Sequence, residues 1–434
     1  MTPGTSRMAM RTFVLVCTGQ ILSVLGSQLT AFGLGVWSYQ RTGSTTAYGL
    51  MALATLAPGM LAAPLAGLLV DRSARAAMIA GHLGAGACTF TLALLVHLGA
   101  APFGAVLALV ALTSVCNAVQ FPGLSAVTPR LVPPEHLGRA QGALQLGMAT
   151  GQVGAPVLAA MLLASLGLWP ILALDALSFF FASTLLLVCR LPSVPRPTRA
   201  AGALAEAGQG WRYLRAQPGL LGLLGLLALL NFTVGASQVL LTPFVLGFAN
   251  VQVLGRVMSV GGLGMVLGSV LLLVWGGPRR RRVLALLGFA LLEGVAMMAL
   301  GLLRPSAALV AGCAFAVLFA VPLVTGCAQV LWQLKVPAGL QGRVFGLRVL
   351  VAQGAIPLAF LIAGPLADHV FEPLWRTPGR GIALFFMLLG ALSVLGVGWA
   401  ARSSRLRRLE RELDDTGRGR PKPGGWTTAQ PREA

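Results

Sequence analysis

Twelve apolar runs, each long enough to cross a bilayer, leave this chain few folds to choose from. They are 12–38, 46–70, 76–99, 102–122, 138–164, 168–190, 218–247, 255–276, 283–303, 306–330, 344–366 and 380–400. Crossing the hydrocarbon takes about 20 apolar residues. In lipid a backbone has to satisfy its own hydrogen bonds, so runs of this length and composition are predicted to be helices. Charged residues make up only 10% of the chain and hydrophobic ones 56%, with a mean hydropathy of +0.82. A soluble protein carries about a quarter charged residues, so the ordinary globular classes are excluded. The expected fold class is an all-α membrane protein with twelve transmembrane helices.

The net charge of +20 invites a nucleic-acid partner, but the positions of the basic residues point elsewhere. With a cytoplasmic N-terminus and twelve spans, 27 of the 32 lysines and arginines fall on the cytoplasmic side. They include Arg7, Arg11, Arg72, Arg75, Arg279 to Arg282, and nine residues after position 400. The five on the other side are Arg41, Arg256, Arg304, Arg376 and Arg380. The positive-inside bias therefore predicts a multi-pass protein of the cell (inner) membrane with both termini in the cytoplasm. The basic excess reports topology and some attraction to the lipid bilayer, about 1 kcal/mol per residue near an anionic surface. No nucleic-acid partner is expected, because there is no folded polar domain to carry one.

Six cysteines (Cys17, Cys88, Cys116, Cys189, Cys313 and Cys327) are scattered singly through the apolar runs, with no Cys-x-x-Cys pair. Neither a disulfide framework nor a zinc site is suggested. His82, His97, His136 and His369 share no ligand spacing, so no metal and no cofactor are expected. The basic start and the run after it superficially resemble a signal peptide. That run is too long and too punctuated by polar residues, so it reads as the first span.

The widest polar break, 191–217, divides the spans six and six. Pro192, Pro195 and Pro197 stop the sixth helix there, and 203–216 has the makings of a short surface helix. The plan is then a cytoplasmic N-terminus (1–11), an N-terminal six-helix half (12–190), a cytoplasmic central loop (191–217), a C-terminal six-helix half (218–400) and a basic tail (401–434). The tail opens amphipathically, with Leu406, Leu409 and Leu413 on one face, and is expected to be disordered from Thr416. Two internal matches support the halves. Val132-Pro133-x4-Gly138-Arg139-x2-Gly142 returns 204 residues later as Val336-Pro337-x4-Gly342-Arg343-x2-Gly346. Asp71-Arg72-x2-Arg75-x5-Gly81 aligns, 207 residues on, with Pro278-Arg279-x2-Arg282-x5-Gly288. A duplicated membrane chain is the plan of a secondary transporter, whose substrate path lies between the halves.

Gly67-Leu-Leu-Val-Asp71-Arg72-Ser-Ala-Arg75 lies between the second and third spans. In this place the chain resembles the major facilitator superfamily, whose loop signature is Gly-x-x-x-Asp-Arg-x-x-Arg, and the likeness extends over about residues 12–400. The resemblance implies two pseudo-symmetric six-helix halves that carry a small molecule between them. Gly67 is expected to let a neighbouring helix backbone approach closely. Asp71, at a helix end, can accept hydrogen bonds from a facing helix N-terminus, where the dipole favours an anion. Arg72 and Arg75 would pair with it or with lipid phosphate. The resemblance implies that this gating cluster holds the halves together on the cytoplasmic side in the outward-open state; the alternative is a topogenic charge cluster with no switching role.

Three departures bear on function. Pro278 stands where Asp71 falls in the first half, which makes the cytoplasmic latch one-sided. The fourth span carries no arginine, unlike that of many drug–proton antiporters, and offers Asn117 and Gln120 instead. The fifth-span signature of those antiporters survives only as Gly151-x3-Ala155-Pro156-x2-Ala159-Ala160, in which the residues stay small. Gly19-Gln20-x2-Ser23-x2-Gly26-Ser27, Asp71-Arg72 and Asp175-Ala-Leu-Ser178-Phe179 look most like the enterobactin-exporter and macrolide-efflux branch.

Polar groups inside a membrane are costly and usually face the bundle interior or a cavity. Gln20, Ser23, Ser27 and Thr30 share a face of the first span, Thr113, Asn117 and Gln120 of the fourth, and Gln141, Gln145 and Gln152 of the fifth. Asn231 and Gln238 lie on the seventh, with Gln329 and Gln353 on the tenth and eleventh. Candidate cavity lining is therefore Gln20, Ser27, Asn117, Gln120, Gln145, Gln152, Asn231 and Gln238; helix-to-helix hydrogen bonding is the plainer alternative. Asp175 lies roughly 9 Å below Trp169, and Glu293 roughly 16 Å past Arg282, near the midplane. Desolvation disfavours a charged carboxyl at such depth, which makes Glu293 and Asp175 candidates for a proton carrier or a counter-charge. Asp368 and Glu372, near an outer loop, are expected to be solvated.

No ATP-binding Gly-x4-Gly-Lys-Ser/Thr loop is present, so an ion gradient is the expected energy source. The function expected is a monomeric secondary active transporter, a proton-gradient-driven exporter of a mid-sized amphipathic small molecule of the drug or siderophore class, with no catalytic residues. An importer or uniporter of the same superfamily is the alternative. A membrane-embedded lipid-modifying enzyme would need a cluster of interfacial carboxylates or histidines, and only isolated acids occur. A non-transporting sensor or adaptor has nothing in the chain to recommend it. The topology is tested by fusions: a fluorescent protein after Ala434 is expected to glow and alkaline phosphatase there to be inactive, and the reverse would overturn the orientation.

Overall fold

The computed structural model describes residues 3–132, 137–189, 211–275, 277–278, 281–302, 306–337, 340–374, 379–408 and 410; the side chains at 3–9, 71, 125, 129–130, 137–150, 152 and 341–343 lie outside that description. Among the described residues every regular element is helical. In chain order these are α1 (Pro3–Thr42), α2 (Thr45–His97), α3 (Phe103–Asn117), α4 (Gln120–Leu131), α5 (Leu137–Leu166), α6 (Leu168–Val188), α7 (Pro218–Leu246), α8 (Val251–Trp275), α9 (Arg282–Leu302), α10 (Ala307–Lys335), α11 (Gln341–Leu366) and α12 (Arg380–Arg402).

Eleven stretches among the described residues are long and apolar enough to cross a membrane. The 30-residue α5, apolar from Val153 to Leu166, makes the twelfth helix of membrane length. Element and span do not always coincide. α2 runs 53 residues and holds two spans, Thr45–Val70 and Arg72–His97, broken only at Ser73, whose extended backbone (φ −162°, ψ 96°) turns the chain. The Ser73 hydroxyl accepts from the Ala76 amide at 3.3 Å, which caps the third span in place of a longer loop. The fourth span is interrupted in turn, α3 ending at Asn117 and α4 beginning at Gln120.

The tight turn from α1 to α2 needs Gly43 (φ +64°), a left-handed position that a side chain disfavours. Ser44 then caps α2, accepting from the Ala47 amide at 3.2 Å. The central loop falls outside the described residues up to 210, and 211–216 is helical. At the start of the tail Leu406 is buried in the second half, and the Glu410 carboxylate accepts from the Leu284 amide at the start of α9. Leu409, Leu413 and the tail beyond lie outside the described residues.

The buried apolar side chains show how the halves meet. One cluster spans both: Leu29, Phe32, Val36, Ala155, Ala159 and Ile171 pack with Val239, Phe244, Leu254, Phe360 and Phe385. Three others stay within one half each. Phe13, Val70, Met78, Val127 and Leu186 form one, Leu220, Leu286, Leu331, Trp332 and Val397 a second, and Leu34, Met51, Leu92, Val106 and Leu172 a third. The first two lie at the end of the bundle that carries Asp71, one in each half, whereas the third and the shared core lie toward Ser44. Among the described residues the halves meet at the Ser44 end and are parted at the Asp71 end.

Backbone proximity closes that end. A Cβ on Gly49 would stand 2.8 Å from the Phe360 carbonyl oxygen, and one on Gly364 would stand 2.6 Å from Thr46 Cα. Between α5 and α8, a Cβ on Gly255 would meet the Ala160 Cβ at 2.7 Å and the Pro156 carbonyl oxygen at 2.8 Å. One turn on, the Ser259 hydroxyl donates to the Val153 carbonyl at 2.5 Å. Thr242 also donates across the halves to the Tyr48 hydroxyl, at 3.0 Å. Gly255→Leu is expected to destabilise the protein by about 1–3 kcal/mol through overpacking. Gly312→Leu, whose Cβ site has nothing within 4 Å, should have little effect. Melting temperatures in detergent test the pair; equal effects would contradict the packing described.

Candidate functional site

A cavity of about 400 Å³ opens between the first, second and fourth spans. α1 contributes Gln20, Ser23, Val24, Ser27 and Gln28, α2 contributes Thr55, and α3 and α4 contribute Asn117, Gln120, Phe121, Leu124 and Thr128. That volume is within the range for a drug-sized ligand. Among the described residues the lining carries no Asp, Glu, Lys, Arg or His. Its polar groups sit at one-turn spacings on α1 and around the break between α3 and α4, so two helix faces meet across the space.

Several of these groups are already engaged. The Thr55 hydroxyl donates to the Met51 carbonyl and the Thr128 hydroxyl to the Leu124 carbonyl, each within its own helix. Gln120 donates through Nε2 to the Met78 carbonyl at 3.3 Å, which fixes the orientation of its amide and leaves Oε1 buried with no partner. Gln20 Oε1 is likewise buried and unpartnered. A buried acceptor left unpaired costs free energy, which the side chain recovers by turning toward a bound donor. The cavity therefore suits an uncharged or weakly charged molecule that is mostly apolar and presents hydroxyl or N–H donors.

Behind this wall lies Asp175, 1% exposed on α6. The Ser27 hydroxyl, itself in the lining, donates to Asp175 Oδ1 at a long 3.4 Å. The approach is possible because α1 has glycine at 26: a Cβ there would stand 2.7 Å from Asp175 Oδ1. Glu293, also 1% exposed, sits on the buried face of α9 and takes no part in the lining. Its Oε1 has no hydrogen-bond partner.

The remaining sequence-predicted lining residues are placed differently. Asn231 is half-buried and Gln238 exposed on α7, and neither lines this cavity. Gln145 and Gln152 belong to α5, but their side chains lie outside the described residues. In the second half Gln329 accepts from Arg348, whose guanidinium stands over the Trp332 ring.

The gating cluster lies at the parted end. Among the described residues nothing lies within 4 Å of the place a Gly67 Cβ would occupy, so in this conformation the position is open. Arg75 donates through Nε to the Leu186 carbonyl at 3.1 Å and through Nη2 to the Leu187 carbonyl at 2.7 Å. A cation at the exposed carbonyls of a helix C-terminus suits the dipole, so Arg75 braces α6 against the third span. Arg72 is exposed, and the Asp71 side chain lies outside the described residues.

Asp368 and Glu372 are not simply solvated. After Pro365 the chain widens into a π-type turn, Ala367–Phe371. From it Asp368 accepts from the Ser44 hydroxyl at 2.6 Å and from the Thr45 and Thr46 amides at 2.9 and 2.8 Å. Glu372 accepts from the Gly379 and Ile382 amides at 3.3 and 3.2 Å, at the start of α12. The sequence signal for Asp368 was present but incomplete: Ser44-Thr45-Thr46 after Gly43 announces a helix start, without naming its partner.

A profile of the Major Facilitator Superfamily matches residues 16–360. Macrolide efflux protein A of Streptococcus pyogenes is 26% identical over 405 residues, covering 92% of this chain and 97% of that protein. Its namesake in Enterococcus faecalis is 28% identical over 315 residues, or 71% of this chain and 97% of that one. Among solved structures, the nucleoside transporter NupG overlays with a TM-score of 0.74 at 13% identity, covering 90% of this chain and 99% of that chain. A bacterial homologue of the human lysosomal transporter Spinster, inward-facing and unoccupied, gives 0.67 at 17% identity, covering 98% and 100%.

Gln20→Met keeps the length of the side chain and removes the unpaired acceptor. It is expected to weaken transport of a donor-bearing substrate about 2- to 10-fold in KM, the worth of one hydrogen bond, with no loss of thermal stability. Concentration-dependent uptake into inverted vesicles measures it, and an unchanged KM would remove Gln20 from the site.

Proposed function

The chain belongs to the major facilitator superfamily, and from that membership we propose that it is a proton-coupled exporter of mid-sized amphipathic molecules, acting by alternating access. The observation that carries the reading is the division of the core: one core shared by both halves at the Ser44 end, separate cores at the Asp71 end, and a polar-walled cavity beside the parting. By the placement of basic residues the Asp71 end faces the cytoplasm, so the cavity is open to the side from which an exporter loads. Export and the substrate class are further supported by the relatives named for macrolide efflux. Both halves are in one chain, so a monomer suffices.

In this scheme the substrate enters the cavity, places its donors on Gln20 and Gln120, and lays its apolar body against Val24, Phe121 and Leu124. The halves then rock. The Gly67–Asp71 segment meets the second half, closing the cytoplasmic end, and Arg72 faces lipid phosphate. Asp175 is the acid better placed to carry the coupling proton, since only Ser27 separates it from the cavity; Glu293, enclosed in the second half, is the second candidate.

Accumulation of a fluorescent amphipathic dye in cells tests the reading. Wild type is expected to lower accumulation, a protonophore to abolish that difference, and Asp71→Asn to lose most of it while still reaching the membrane. Raised accumulation in wild type would mean uptake, and an effect indifferent to the protonophore would remove proton coupling.

A further inference from the structure

The bond from Asp368 to Ser44, Thr45 and Thr46 joins residues more than three hundred positions apart, one in each half. The first turn of a helix has amide N–H groups with no partner of their own and bears the positive end of the dipole. Here the carboxylate that satisfies the start of α2 comes from the far end of α11. Its seat is built for close approach. A Cβ on Gly364, one turn earlier, would stand 2.6 Å from Thr46 Cα, so a bulkier residue there would lift Asp368 off the helix start. Glu372, four residues on, performs the same chemistry within the second half alone, on Gly379 and Ile382.

We propose that Asp368 is the latch of the Ser44 end, a positioning residue whose bond to the α2 N-terminus holds the halves closed there and must break before the bundle can open to that side. The arrangement has a counterpart at the other end. The first span of α2 and α11 pack antiparallel, through Gly49 on Phe360 and Gly364 on Thr46. The end of that span, at Asp71, therefore lies at the same end of the bundle as the start of α11, at Gln341. Each of the two helices finishes at an aspartate and begins at the other's finish. One helix pair thus carries a carboxylate and a helix N-terminus at both ends, and rocking trades one latch for the other. The latch draws on the alternating-access reading for its role in transport; the contact that defines it does not.

The test is a distance measurement between spin labels on the full chain in lipid nanodiscs, with the native cysteines replaced. Labels at Leu166→Cys and Phe248→Cys, both exposed, report the Ser44 end, and labels at Leu69→Cys and Leu334→Cys report the Asp71 end. Asp368→Asn is expected to raise the open population at the Ser44 end roughly tenfold, as loss of a charge-assisted bond should, with a matching gain of short distances at the other. Glu372→Gln should leave both distributions in place. If Asp368→Asn does not yield folded protein, Ser44→Ala, which removes the shortest of the three bonds, should shift the same population in the same direction by less. A folded Asp368→Asn or Ser44→Ala protein with unchanged distances would overturn the latch, and so would an equal shift from Glu372→Gln. The readout needs no substrate, so failure here leaves the export reading standing, and failure of dye efflux leaves the latch standing.

Discussion

Two helices in hydrocarbon adhere only where their backbones come closer than lipid tails can, or where polar groups find partners they would otherwise lack. Everything else in this molecule depends on where that condition is met. It is met between the halves at the Ser44 end, through Gly49, Gly364 and Gly255, with Ser259, Thr242 and Asp368 bonded across the seam. At the Asp71 end the halves keep to separate cores. Each half has a core of its own there, so among the described residues closure at the Ser44 end goes with a parting at the Asp71 end.

That asymmetry places the chemistry. The cavity wall belongs to the first half, where α1 and the broken fourth span present Gln20, Ser27, Asn117 and Gln120 to one space. The break between α3 and α4 brings Asn117 and Gln120 to the wall together, while Gln120 remains held by the Met78 carbonyl of α2. Uncharged lining with unpaired acceptors favours molecules that shed their hydration cheaply, which is the demand a path through lipid-adjacent protein makes. Arg75 belongs to the scaffold of this wall, tying the third span to the end of α6.

Much of this was legible in the sequence, for physical reasons. Membrane thickness sets a length that apolar runs either reach or miss, so the spans and the family were visible in 434 letters. The faces of the first and fourth spans followed from helical period alone. Partners distant in sequence were not legible. Asp368 read as a solvated loop residue because nothing near it announces Ser44, and nothing near Arg75 announces the α6 carbonyls it meets, over a hundred residues away. Gly67 is a different case. A small residue marks where a helix can come close, and the approach expected of it belongs to a conformation closed at the Asp71 end. The Glu293 position was found by counting turns, but its enclosure in the second half, away from the cavity, required the packing of α9 itself.

The central claim is that the space beside Ser27 communicates with the Asp71 end and is sealed from the Ser44 end. Ser27→Cys, in a background without native cysteines and reconstituted in liposomes of known orientation, tests it with a membrane-impermeant thiol reagent added to one side at a time. Labelling in the absence of substrate is predicted from the side facing the Asp71 end and not from the other. Labelling mainly from the Ser44 side would contradict the account.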